Sequence, residues 1–115
     1  MGLSPQDAAA VRAHKFPLRR VAYNRRDAIL YNLGIGASEP QYAYEDHPDF
    51  APFPTLPLVL ALKGTSSDVV PFSTDLLAFP PALADVPPNA ILQGELSMEF
   101  FDPLPPSSEG MVYSS

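Results

Sequence analysis

Tyr23-Asn24-Arg25-Arg26-Asp27-Ala28-Ile29-Leu30-Tyr31-Asn32-Leu33-Gly34-Ile35-Gly36-Ala37 holds both a helix start and a helix stop in one short stretch. Asn24 suits the N-cap, and Asp27, three residues on, can reach back to it in a variant of the Ser/Thr and Glu capping box. Gly34 can adopt the left-handed conformation that ends a helix. Between them Ala28, Ile29, Leu30, Tyr31 and Leu33 cover more than one stripe of the helix surface, which predicts a helix that is mostly enclosed.

The N-terminal side offers weaker elements. Ser4-Pro5-Gln6-Asp7 places an N-cap, a proline at the first helical position and an acidic residue at the positive end of the dipole, predicting a short helix through about Ala13. Phe16-Pro17-Leu18 breaks it, and Arg19-Arg20-Val21-Ala22-Tyr23 reads as extended chain leading into the second helix, with both elements at the edge of the fold. On the C-terminal side, Ser38 to Pro57 is an ordered, proline-punctuated segment in which Tyr42 and Tyr44 alternate across a brief strand. Leu56 to Leu62 is a buried apolar run whose type stays open between strand and a turn of helix. Residues 64–89, with five prolines and no periodicity, read as a long surface excursion.

The clearest strand pattern lies further on. Leu92, Gly94, Leu96, Met98 and Phe100 fall on one face, and Gln93, Glu95, Ser97 and Glu99 on the other, the period-two signature of a half-buried strand in an antiparallel sheet. Asp102-Pro103-Leu104-Pro105-Pro106 turns the chain, and Gly110-Met111-Val112-Tyr113 begins a returning strand, so the sequence reads as ending mid-fold. An open sheet edge there would favour dimerisation.

Composition excludes several functions. The 115 residues suffice for one small domain, and 15 prolines against 6 glycines argue for short elements with rigid connections. There is no cysteine, so neither a disulfide framework nor a thiolate zinc site can exist. The two histidines, His14 and His47, leave a His-rich metal site without parts, and no metal ligand set is assigned. The net charge of -6 divides into +5 over residues 1–26 and -11 over residues 27–115. An acidic body of this kind disfavours nucleic acid. No apolar run is long enough to span a bilayer.

Taken together, the helix stretch, Tyr44-Glu45, Asp49-Phe50, Phe53-Pro54-Thr55, Lys63-Gly64 and Leu92-Gln93-Gly94-Glu95 followed by Asp102-Pro103-Leu104-Pro105 form an ordered series of blocks. Over residues 16–110 this series resembles the N-terminal half of 2-enoyl-CoA hydratase 2, the MaoC-like hydratase family of peroxisomal multifunctional enzyme type 2. The resemblance implies an α+β fold, a single hot-dog repeat in which an antiparallel sheet packs on a short helix. On that reading residues 1–15 are an N-terminal arm and residues 16–115 the repeat, truncated at its C-terminal end.

The reaction implied is reversible addition of water to a trans-2-enoyl-CoA, giving the (3R)-hydroxyacyl-CoA, within fatty-acid beta-oxidation. This half is expected to shape the pocket for the acyl chain, with Tyr31, Phe53, Pro54, Thr55 and Leu58 as substrate-binding candidates. The family's Gly-Asp-x-Asn-Pro-x-His motif, which supplies the catalytic Asp and His, is absent from these residues, so no catalytic residue is carried over and the chain is expected to be inactive alone. His47, within Asp46-His47-Pro48-Asp49, stands in the wrong context to replace it, and that turn reads as solvated. Arg19-Arg20 or Arg25-Arg26 could meet CoA phosphates through guanidinium pairing, against a default of solvated basic surface. No cofactor is expected beyond the coenzyme A that the substrate carries. The partners expected are an acyl-CoA thioester and either a second copy or a complementing C-terminal hydratase half. The location implied is peroxisomal, although the chain ends in Tyr113-Ser114-Ser115 and not in a Ser-Lys-Leu-type signal, and cytoplasmic otherwise. Two alternatives stand beside this reading: a non-catalytic acyl-CoA-binding module, and a hydratase-like accessory protein of secondary metabolism.

Overall fold

The computed structural model describes residues 4–69 and 79–114. Helix α1 spans Pro5–Ala13, with the Ser4 hydroxyl accepting from the Asp7 N–H at 3.0 Å. It buries no residue, as expected of an element at the edge of the fold.

Strand β1, Arg19–Tyr23, is not peripheral. Val21 and Tyr23 are among the most buried residues of the described chain, because β1 is covered on one face by a helix and paired along one edge. Its partner is β2, Ser108–Tyr113, in an antiparallel ladder that matches Arg19 with Tyr113 and Val21 with Met111. Between Val21 and Tyr23 the register slips, and β2 carries the extra residue. At Gly110 in β2 the Arg20 guanidinium would stand 3.0 Å from an added Cβ.

Helix α2, Arg25–Gly34, starts as its residues predict. The Asn24 side chain accepts from the Asp27 N–H at 2.8 Å and the Asp27 carboxylate accepts from the Asn24 N–H at 3.0 Å, a complete capping box. It stops one turn-step later than expected. Gly34 remains helical, and Gly36 takes the positive φ of 87°. The Ala37 N–H donates to Asn32 O and the Gly36 N–H to Leu33 O, which together form a Schellman motif. Nor is α2 enclosed: Ala28 and Asn32 are buried, whereas Leu30, Leu33 and Ile35 are exposed. Covering a second stripe of a helix takes a second packed layer, and among the described residues the sheet has two strands alone.

Tyr42 and Tyr44 do not form a strand. Pro40–Ala43 is a single helical turn, α3, with Pro40 at its first position and the Tyr44 N–H closing on Pro40 O. The apolar run left open between strand and helix is helical: α4, Pro57–Lys63, buries Leu60 and follows the buried Leu56. Gly64 (φ 61°, ψ -130°) then begins a type II′ turn, in which the Ser66 N–H donates to Lys63 O at 3.3 Å. The Gly64 carbonyl accepts from Ala22, on the edge of β1 that β2 leaves free.

The core is Val21, Tyr23, Leu56 and Leu60, with Tyr31, Val59, Leu104 and Met111 packed against it. Each such side chain taken out of water contributes roughly 1.5–3 kcal/mol. The architecture is thus α+β, an antiparallel sheet packed on short helices. Part of the 64–89 excursion lies outside the described residues; the rest includes the 3₁₀ turns Pro81–Leu83 and Pro88–Ala90.

The strand expected at Leu92–Phe100 is absent. Residues 91–100 belong to neither strand, and all are exposed, with Leu92 at 91%. Alternation states which face a strand would bury, but a strand exists only where a neighbouring edge takes its hydrogen bonds. Among the described residues the sheet consists of β1 and β2 alone.

Candidate functional site

Asn32 organises this part of the molecule. It sits on α2 in line with Ala28, on the stripe that faces inward, and is fully buried. A buried amide must find partners, and this one finds three outside its own helix. Its Nδ2 donates to Tyr42 O at 2.9 Å and to Ala51 O at 3.1 Å, and its Oδ1 accepts from the Phe53 N–H at 2.7 Å. The loop from Tyr42 to Phe53 is therefore clamped to the helix through backbone groups. The rings of Tyr42 and Phe53 meet at 5.4 Å with their planes 56° apart.

The clamped loop forms the wall of two clefts. The first, of about 410 Å³, is lined by Tyr42, Ala51, Pro52 and Pro54 together with Phe100 to Leu104. Apart from Asp102 and Tyr42, its lining residues are apolar. The second, of about 430 Å³, is lined by Ile35, Gly36, Ala37, Glu39, Gln41, Tyr42 and Phe53. Successive residues of the wall thus face different clefts, Phe53 the second and Pro54 the first.

Of the residues expected to bind substrate, Phe53 and Pro54 line these clefts. Tyr31 and Thr55 line neither; their hydroxyls share a 2.6 Å hydrogen bond that fastens α2 to the residues before α4. Leu58 is exposed on α4 and also lines neither. Tyr42, Pro52, Phe100 and Leu104 were not singled out by the sequence, since they come together only through the fold. Asn32 did carry a signal: a polar residue on the inward stripe of an apolar helix requires partners from elsewhere.

A second polar knot joins β1 to both helices. Lys63 Nζ donates to Ala22 O at 2.5 Å and Ser66 O at 2.7 Å, and lies 3.6 Å from the Asp27 carboxylate. With its donors so engaged, the ammonium serves structure. On the far side of β1, the Tyr23 hydroxyl donates to Pro105 O. Burial of the phenol raises its pKa above the usual value near 10.

The acidic turn is solvated, as expected. Asp46 and Asp49 are exposed, and His47 Nδ1 accepts from the Asp49 backbone N–H at 3.0 Å. Among the described residues no group of His, Asp and Glu side chains could hold a metal ion, and no helix is long and apolar enough to cross a membrane.

The relatives of the chain agree with this architecture. The family model of the MFE-2 hydratase 2 N-terminal domain matches residues 21–114. The probable dehydratase NIT22 of Ajellomyces capsulatus is 36% identical over 82% of this chain, which spans 26% of that protein. Peroxisomal multifunctional enzyme type 2 of Mus musculus is 30% identical over 84% of this chain, which spans 13% of it. In three dimensions the chain resembles the MaoC-like dehydratase of Phytophthora capsici, with a TM-score of 0.59 and 30% identity over 91% of this chain and 35% of that one. The chain thus spans 35% or less of each of these relatives, and a MaoC-like, hot-dog arrangement accounts for its sheet and helices. By the extent of the match and the agreement of the fold, it belongs to the MFE-2 hydratase 2 N-terminal domain family.

Proposed function

We propose that this chain is the substrate-pocket half of a (3R)-specific trans-2-enoyl-CoA hydratase, with the acyl chain lying in the cleft between Pro52–Pro54 and Phe100–Leu104. The observation that carries the reading is that cleft, in a member of a hydratase family: an apolar trough walled by prolines and aromatic rings suits a hydrocarbon chain. Asp102 is the single carboxylate on it, and general acid–base addition of water needs a second positioned group. The catalytic Asp and His would come from a complementing C-terminal half, and the chain alone is inactive. The same trough without that half would act as an acyl-CoA-binding module. The peroxisomal names of relatives from Mus musculus and Saccharomyces cerevisiae support a peroxisomal location and a role in beta-oxidation.

Incubating the purified chain with a trans-2-enoyl-CoA and following the enoyl absorbance tests the reading. No turnover is expected from the chain alone, and turnover on mixing with a C-terminal hydratase half bearing the Gly-Asp-x-Asn-Pro-x-His motif. Turnover by the chain alone, or no acyl-CoA binding at millimolar ligand, contradicts the proposal.

A further inference from the structure

We infer that the Tyr42–Phe53 ring pair is a partition that sets the length of acyl chain the pocket accepts, and that Asn32 is the residue that positions it. The inference rests on the acyl-CoA reading and deepens it.

Three observations converge. Tyr42 belongs to the walls of both clefts, and Phe53 to the second, so the ring pair stands where the two spaces adjoin. Both rings are carried on backbone that Asn32 holds from inside, through Tyr42 O and the Phe53 N–H. The clamp grips backbone and leaves the rings themselves free to be changed in size. Beyond the pair, the second cleft is lined by the apolar Ile35 and Ala37 and by the polar Glu39 and Gln41. A chain confined to the first cleft gains affinity with each methylene until it meets Tyr42; past that point further methylenes stay in water and add nothing. Removing the ring joins the spaces, and each methylene then buried adds roughly fourfold, the equivalent of about 0.8 kcal/mol.

The test is calorimetric titration of the full chain with saturated acyl-CoAs from butanoyl to dodecanoyl. For the wild type the affinity should rise with length and reach a plateau. Tyr42→Ala should move the plateau to longer chains, with on the order of tenfold gain for the longest member and little change for the shortest. Tyr42→Trp should move it the opposite way, a pair of opposed shifts that a merely destabilised fold does not produce. Should Tyr42→Ala fail to fold, Phe53→Leu keeps the backbone N–H that Asn32 accepts and opens the same boundary. A plateau at the same length in the folded variants overturns the partition while leaving acyl-CoA binding intact. No binding of any member by the wild type overturns both.

Discussion

Helix α2 and the segment from Leu92 to Phe100 carry comparably clear sequence patterns, yet the first forms and the second has no ladder. The difference lies in where each pattern finds its hydrogen bonds. Asn24 and Asp27 satisfy each other, and Gly36 and Ala37 close back on Leu33 and Asn32, so the helix completes both ends with its own neighbours. The alternating segment has no such means: every second backbone group needs another strand. The described residues that follow it instead turn into Leu104, which packs on the core, and β2, which pairs with β1. A local pattern is an instruction the chain can carry out alone, and a period-two pattern requires a partner.

Mutations placed in the two regions test that contrast, and the largest effect belongs to Asn32. Asn32→Ala orphans the Phe53 N–H and two carbonyls, and should lower unfolding free energy by about 3 kcal/mol in urea titrations. A loss below 1 kcal/mol would mean that the loop holds itself. Next comes Tyr23, whose hydroxyl ties β1 to Pro105. Tyr23→Phe should cost about 1.5 kcal/mol at neutral pH. The sign of the pH effect follows from burial: the folded state holds the phenolic proton more tightly than the unfolded chain. This contribution is therefore whole below pH 10 and is lost as pH rises from there through the raised folded value. Thermal melts from pH 8 upward should show a steeper alkaline decline in the wild type than in Tyr23→Phe, and parallel curves would contradict it.

Breaking the capping box with Asn24→Ala should cost about 1 kcal/mol, read from the same urea midpoints. Smallest is the effect expected in the other region. Leu96→Lys alters an exposed side chain outside both strands and should change stability by less than about 0.5 kcal/mol. A larger loss would show that the alternating face is covered in solution, and light scattering would then report whether a second copy covers it.

What could be read in advance follows the same line. The N-caps of α1 and α2 were legible because their causes lie within a few residues. The run Leu56 to Leu62 is only in part the buried segment expected, since Leu56 and Leu60 are buried but Leu58 and Leu62 are exposed once the run is helical. The core position of β1 was not legible, since Val21 and Tyr23 owe their burial to α4 and to a strand at the far end of the chain. At the candidate site, Phe53 and Pro54 could be singled out from a block resembling the family. The alternation of Tyr42 and Tyr44 suggests a strand, whereas Pro40 ahead of them starts a helical turn. The role of Asn32 is not legible in sequence, because its partners lie 10, 19 and 21 residues away and no local rule points to them.

The pairing of β1 with β2 also bears on how the molecule is made. Tyr23 and its partner Ser108 are 85 positions apart (108 minus 23), so the ladder closes one of the longest loops this chain can form. At ribosomal speeds of 5–20 residues per second, the interval between synthesis of the two strands is roughly 4–17 seconds. Through that interval Val21 and Tyr23 have Tyr31 and then Leu56, Val59 and Leu60 of their later core partners to meet, while Met111 is still to come, so α2 and α4 serve first as their shelter on the nascent chain. Mutations in α4 should therefore lower the yield of folded protein from synthesis more than they lower its stability once folded.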